Sequence, residues 1–219
     1  MICFLGTSHA AVHLRKAALN RGCTLTQDPS LADVIFISED TPTDASGVRN
    51  LAPIVALVKL AVQHEAQLVL TSQVPPGFTR SLGLRDILHQ AETLRIRDAH
   101  HRAMHPDYII VGGEAELHPE YIAYLNAFNT TIIRGTWEDA EFSKIAVNMF
   151  LAAQVEATNV LSKAARNCGA DWAVITKALQ ADKRIGPEAY LLPGRWEDSM
   201  HLLRDSVTIE RILTEADIA

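Results

Sequence analysis

The sequence predicts an α/β protein, a shortened Rossmann-like parallel sheet followed by a long central helix and a small helical segment. Over residues 1–135, short apolar runs alternate with stretches whose apolar residues recur at helical spacing. Alternation of this kind is the pattern of a doubly wound parallel sheet. From Thr136 to Cys168 the chain then runs without proline or glycine. That is roughly 32 residues, or about 48 Å of helix at 1.5 Å per residue, too long to belong to the sheet alone. The predicted organisation is a curtailed sheet domain over 1–135 and a long-helix segment over 136–219.

The elements follow in order. Ile2–Leu5 is an apolar run ending at Gly6. His9–Asn20 carries Ala and Leu at helical spacing, and Gly22 closes it. Cys23–Thr26 is a candidate second strand, and Asp33–Ser38 suits a buried parallel strand. Leu51–Glu65 reads as a helix and Gln67–Ser72 as a strand. Val74-Pro75-Pro76-Gly77 breaks the chain, and Thr79–His89 reads as the next helix. Tyr108–Val111 and Thr131–Arg134 are strand candidates with a helix around Pro119–Phe128 between them. Thr136 is the expected N-cap of the long helix, with Glu138 and Asp139 in a first turn that favours anions. Gly169 ends it, Trp172–Leu179 forms a second helix, and roughly Asp205–Ala216 a third.

Composition narrows the class. The 219 residues are 48% apolar and 21% charged, which suits a folded core rather than disorder. No stretch approaches the roughly 18 apolar residues of a membrane span, and the first residues lack a basic leader; a cytoplasmic protein is expected. A net charge of −6 argues against a nucleic-acid surface. Cys3, Cys23 and Cys168 are odd in number and scattered, which excludes a disulfide framework or a Cys-rich zinc site; Cys168 is expected to be packed. His9 and His13 are spaced i, i+4, and His100, His101 and His105 cluster, but without a carboxylate–histidine pattern no metal is expected.

Gly6-Thr7-Ser8-His9-Ala10-Ala11 sits where a dinucleotide fingerprint sits, after a first strand and opening a helix. Such a turn needs a glycine, a small second residue for approach to the pyrophosphate, and a small third for packing. Gly6, Ser8 and Ala11 take those places, with the Ser8 side chain expected to fill part of the phosphate space. Asp28, about 20 residues on, is the candidate for the ribose hydroxyls. An ordinary βαβ turn explains the same residues. Only nine residues, Cys23–Leu31, separate Gly22 from the strand opening at Ala32, room for one strand and nothing more, so the adenosine side is expected to be curtailed.

Five further blocks carry a family resemblance. Ala32–Thr43 (ADVIFISEDTPT) is similar to the ADVVFIAVxTPT segment of the UDP-glucose/GDP-mannose 6-dehydrogenase family, and Ser72–Thr79 (SQVPPGFT) to its STVPPGTT. His105–Gly113 (HPDYIIVGG) resembles HPDRIVIGG, Glu141–Phe150 (EFSKIAVNMF) resembles AELxKYAANAF, and Arg184-Ile185-Gly186 resembles RIG. The blocks keep the family's order across nearly the whole chain.

The resemblance implies a function. The family oxidises a sugar C6 alcohol twice, to the acid, with two NAD and a covalent thiohemiacetal on a cysteine of the segment GxGFGGSCFPKD. Counted from Gly194, that cysteine position holds His201 here, and an imidazole cannot supply the thiol chemistry. Lys144 and Asn148 match the family's oxyanion-stabilising pair, and at i, i+4 both could point at one oxygen; Lys144 alone is equally a solvated helix residue. Asp205 matches the catalytic aspartate, and Glu92 the first glutamate of PEFLREG, whose second is Ile96 here. Gln73 replaces the threonine near the nicotinamide, and Thr41 and Pro42 fall in the matched cofactor segment. His201 has the titration range of a general acid–base.

The resemblance also implies a homodimer through the long helix, and a C-terminal nucleotide-sugar domain that these 219 residues do not include. Two functions are therefore expected in competition. One is a diverged dehydrogenase-like protein binding NAD, with at most single-hydride chemistry. The other is a non-catalytic dimeric scaffold or regulatory paralogue in a sugar-nucleotide or polysaccharide pathway, with a sugar nucleotide or a partner enzyme as its ligand.

Overall fold

The structure is a computed structural model and describes residues 1–44 and 46–216. The chain divides into two compact units among the described residues: residues 1–44 with 49–144, and residues 145–216 with 46–48. The last three residues of the predicted long-helix segment, 217–219, lie outside the described residues.

In the first unit, seven strands form one sheet: β1 (Ile2–Leu5), β2 (Leu25–Thr26), β3 (Val34–Ile37), β4 (Gln67–Leu70), β5 (Ile87–Gln90), β6 (Tyr108–Gly112) and β7 (Thr131–Gly135). Their spatial order is β2-β1-β3-β4-β5-β6-β7. Helices α1 (His9–Asn20), α2 (Ala52–Ala61), α3 (Phe78–Ser81), α4 (Ala99–Met104) and α5 (Pro119–Asn126) complete the unit, together with the first turns of α6 (Trp137–Asn167). Chain order β1, β2, β3 against the spatial order β2-β1-β3 makes the β1/β3 junction a topological switch point.

Strand alternation explains the two-sided core. Ile2, Phe4, Val34, Phe36, Val69 and Leu88 pack one face against Leu14 and Ala18 of α1 and Tyr121, Tyr124 and Leu125 of α5. The intervening Cys3, Ile35, Ile37, Leu68, Leu70 and Ile87 face Ile54, Val58 and Ala61 of α2 and Trp137 of α6. A period of two on a sheet covered on both sides produces this continuous apolar reading. Stacking of Phe4 on Phe36 at 4.7 Å and of Phe36 against Tyr124 at 4.9 Å fills the first layer.

Three expectations need correction. Thr79–His89 is not one helix: α3 covers only Phe78–Ser81, and Ile87–Gln90 is strand β5. Gly83, at φ +69°, stops the helix, and all four residues of β5 are buried, which an amphipathic surface helix does not allow. The sheet is also not wholly parallel, because β5 pairs antiparallel with β6 through His89↔Gly112 and Gln90↔Val111. Cys168 is exposed rather than packed, since it stands just past the end of α6 beside Gly169.

The predicted start of α6 is built as a reciprocal cap. Asp139 N–H donates to Thr136 Oγ1 at 3.1 Å, and Thr136 N–H donates to Asp139 Oδ2 at 2.8 Å. The helix spans 31 residues.

In the second unit, the later part of α6, α7 (Trp172–Ala181) and α8 (Met200–Ala216) carry a connecting segment tied down by side chains. Asn159 clamps Gly194 on both backbone atoms, donating to its carbonyl at 2.8 Å and accepting from its N–H at 2.9 Å. Thr158 Oγ1 donates to the Tyr190 carbonyl at 2.8 Å, and Trp196 Nε1 donates to Glu156 at 2.6 Å.

Candidate functional site

The C-terminal ends of β1, β3 and β4 meet at the switch point. Gly6 stands at φ +105°, and a Cβ there would lie 2.1 Å from the Ser38 carbonyl oxygen. Only glycine allows the β1–α1 turn to pass so close to the end of β3. Ser8, the N-cap of α1, is 3% exposed. Its Oγ accepts from Ala11 N–H at 3.0 Å, donates to the Ser38 carbonyl at 2.9 Å and lies 3.2 Å from Ser38 Oγ. The serine therefore turns inward to cap the helix and bind β3. Its Oγ thereby takes the Ala11 N–H at the start of α1. Ala11, fully buried, gives the close packing the fingerprint needs.

Glu39, immediately after Ser38, is the residue at this turn that the sequence motifs do not single out. Its Oε2 accepts from Thr7 N–H at 2.9 Å and from Thr7 Oγ1 at 3.3 Å, and its Oε1 accepts from Asp40 N–H at 3.0 Å. The carboxylate thus occupies the N–H of the turn that would face a pyrophosphate. One signal was available: the resembled segment ADVVFIAVxTPT has an apolar residue where Glu39 stands. A dinucleotide's pyrophosphate does not fit this cradle as it is built, because it would meet a fixed carboxylate of its own sign.

The neighbouring predicted residues hold the rim together. Glu39 N–H donates to Ser72 Oγ at 2.8 Å, and Thr41 Oγ1 donates to the Gln73 carbonyl at 3.1 Å. Gln73 Nε2 donates to Glu92 Oε2 at 3.1 Å, so these two predicted residues do come together, and Glu92 also accepts from Leu94 N–H. Pro42 contributes its carbonyl, accepting from Asn50 N–H at 2.7 Å. Asp28 lies just past β2, capping the turn at Pro29–Leu31 by accepting from Ser30 N–H at 2.9 Å and Ser30 Oγ at 2.7 Å. Those bonds hold its carboxyl below the ordinary aspartate value. The sheet ends at the two-residue β2, so no third strand extends the adenosine side among the described residues.

Glu141, from the matched Glu141–Phe150 block, is 2% exposed and accepts from Gly77 N–H at 2.6 Å and Thr79 N–H at 2.8 Å. It anchors the Pro-Pro-Gly turn. Burial pushes its carboxyl up, against the opposing effect of those N–H groups. His89, fully buried on β5 beside Thr79 Oγ1 at 3.4 Å, is pushed down to about 3 by desolvation. Lys144 is half-buried at the end of this unit. His9 and His13 approach at 3.1 Å between their Nε2 atoms, and among the described residues no group of three His, Cys, Asp or Glu is placed to hold a metal.

In the second unit, Asn148 of α6 and Asp205 of α8 are 7% and 1% exposed. Asn148 Nδ2 donates to Asp205 Oδ2 at 2.7 Å, and Arg204 Nε stands 3.4 Å from Asp205 Oδ1. Predicted residues 57 positions apart are thereby joined. His201, one turn before Asp205, is exposed.

A glycine turn at the switch point of a mostly parallel, doubly covered sheet defines a Rossmann-type unit, and the long helix after it extends that architecture. Known proteins resemble this chain in sequence and in fold. Residues 138–206 match the UDP-glucose/GDP-mannose dehydrogenase family, central domain. UDP-glucose 6-dehydrogenase of Caenorhabditis elegans is 31% identical over 185 residues, covering 71% of this chain and 38% of that protein. UDP-glucose 6-dehydrogenase 2 of Arabidopsis thaliana is 27% identical, covering 72% and 38%. The structure of a UDP-glucose dehydrogenase from Pyrobaculum islandicum superimposes with a TM-score of 0.77 at 20% identity, covering 99% of this chain and 64% of that one. The family-model match and the curated relatives agree in making the chain similar to the UDP-glucose/GDP-mannose dehydrogenase family, and the solved structure shares its fold. It spans well under half the length of the two curated relatives named here. Among the described residues, no helix is long and apolar enough to cross a membrane.

Proposed function

We propose that this protein is a non-oxidising member of the family, acting as a homodimeric scaffold or regulatory partner in a sugar-nucleotide or polysaccharide pathway. The observation that carries this reading is the state of the second unit. Asp205, at the position matched to the catalytic aspartate, is 1% exposed and bonded to Asn148 and Arg204. His201, at the position matched to the nucleophilic cysteine, has no thiol with which to form the covalent intermediate. An acid–base residue must reach the proton it transfers, and a fully buried, bonded carboxylate does not. Phe150 at 75% exposure and Val160 at 66% give α6 apolar surface for a second copy of the chain.

A second reading, single-hydride chemistry, is supported by the survival of Lys144, Asn148 and Asp205 in register with the family block. The two are separated by incubating the purified protein with NAD and UDP-glucose, following NADH absorbance and analysing the sugar product. No NADH is the expected result. One NADH per sugar without acid would establish the second reading, and two with the acid would overturn both.

A further inference from the structure

We infer that Glu39 closes the dinucleotide cradle of this protein, so that one side chain decides whether a nucleotide pyrophosphate binds at the β1/β3 switch point. The inference goes beyond the proposed function, which rests on the second unit, and needs only that the switch point be of dinucleotide type.

The rest of the cradle is intact. Gly6 keeps the left-handed turn and its close approach to Ser38, Ser8 is buried and bonded to Ser38 and to the Ala11 N–H, and Ala11 is small and buried. Asp28 sits past β2, where the fold places a ribose-binding acid. What differs is the occupant of the Thr7 N–H. An N–H group at such a turn attracts an anion, and here the anion is the protein's own, held by Thr7 N–H at 2.9 Å, Thr7 Oγ1 at 3.3 Å and Asp40 N–H at 3.0 Å. The backbone N–H of Glu39 is fixed on Ser72 Oγ at 2.8 Å, which sets where its side chain starts. A pyrophosphate entering this turn must expel the carboxylate and then sit against its charge. Both effects act against binding, and the second persists wherever the side chain rests nearby. Asp40, the next residue, contributes only its backbone N–H to this contact, so its carboxylate serves as a control for general negative charge.

The test is calorimetric titration of NAD, and separately of ADP, into the full chain and into three variants checked for wild-type circular dichroism. The wild-type protein is expected to bind both nucleotides only weakly. Glu39→Val is expected to tighten both by at least roughly tenfold, an effect the size of one lost like-charge contact. Glu39→Gln, which keeps the shape and removes the charge, is expected to tighten both by at least threefold, and Asp40→Asn to stay within about twofold. Unchanged affinity in Glu39→Gln, a gain as large in Asp40→Asn, or micromolar NAD binding by the wild-type chain would each overturn the inference. None of these results bears on turnover. NADH formation by the wild-type protein would break the proposed function instead.

Discussion

At the C-terminal edge of β1 and β3 the decisive charge is Glu39, half-buried and bonded to backbone N–H groups of its own crevice. In the helical unit it is Asp205, 1% exposed and bonded to the side chains of Asn148 and Arg204. The first can change without disturbing a core, since its partners are turn N–H groups that water can satisfy. The second cannot, because removing one member strands a buried charge or amide. The contrast teaches that survival of Asn148 and Asp205 in the sequence is explained by folding alone and does not by itself report surviving chemistry. The residue that does report on ligand chemistry is the cheaply exchanged one at the crevice.

The sharpest way to break this comparison is Asp205→Ala. Removing the buried carboxylate that accepts from Asn148 and faces Arg204 should cost about 3–5 kcal/mol in urea unfolding. Asp205→Asn, which preserves an acceptor oxygen, should cost clearly less. A loss under about 1 kcal/mol for Asp205→Ala would show that the pair is not a structural lock and would reopen a catalytic role.

Acid tests the sheet unit. His89 has its folded value depressed to about 3 against an ordinary 6.5, so its contribution is fully present above about pH 6.5 and is lost as pH falls toward 3. By pH 4.5 the loss should be about 3 kcal/mol, read from urea midpoints across that range. His89→Gln should flatten that slope. An unchanged slope would mean that other groups carry the acid sensitivity.

The smallest effect concerns the cradle. Ser8→Ala removes the α1 cap and the bonds to Ser38, and should lower stability by about 1 kcal/mol while leaving nucleotide affinity within about twofold. A large gain in affinity would mean that the serine, and not Glu39, obstructs the turn.

Much of this architecture was legible in the residues. The alternation of apolar runs and helical spacing placed six of the seven strands, and Thr136 with Asp139 announced the start of α6. Gly6 was recognisable as a turn glycine because it ends the first apolar run and precedes the first helical stretch. Periodicity failed over Thr79–His89, where a four-residue buried strand is too short to show a period of its own.

What the sequence by itself determined, then, is the sheet-then-long-helix plan and the resemblance to nucleotide-sugar dehydrogenases. These follow from local propensity, hydrophobic period and motif order, all properties of neighbouring residues. Tertiary structure alone decided that Ser8 turns to Ser38 thirty residues on, that Glu39 reaches back to Thr7, and that Asp205 is buried against Asn148. A polar side chain has several partners within reach in an unfolded chain. Which one it takes is set by strand register and helix packing, because only those bring residues 30 to 57 positions apart to within hydrogen-bond distance.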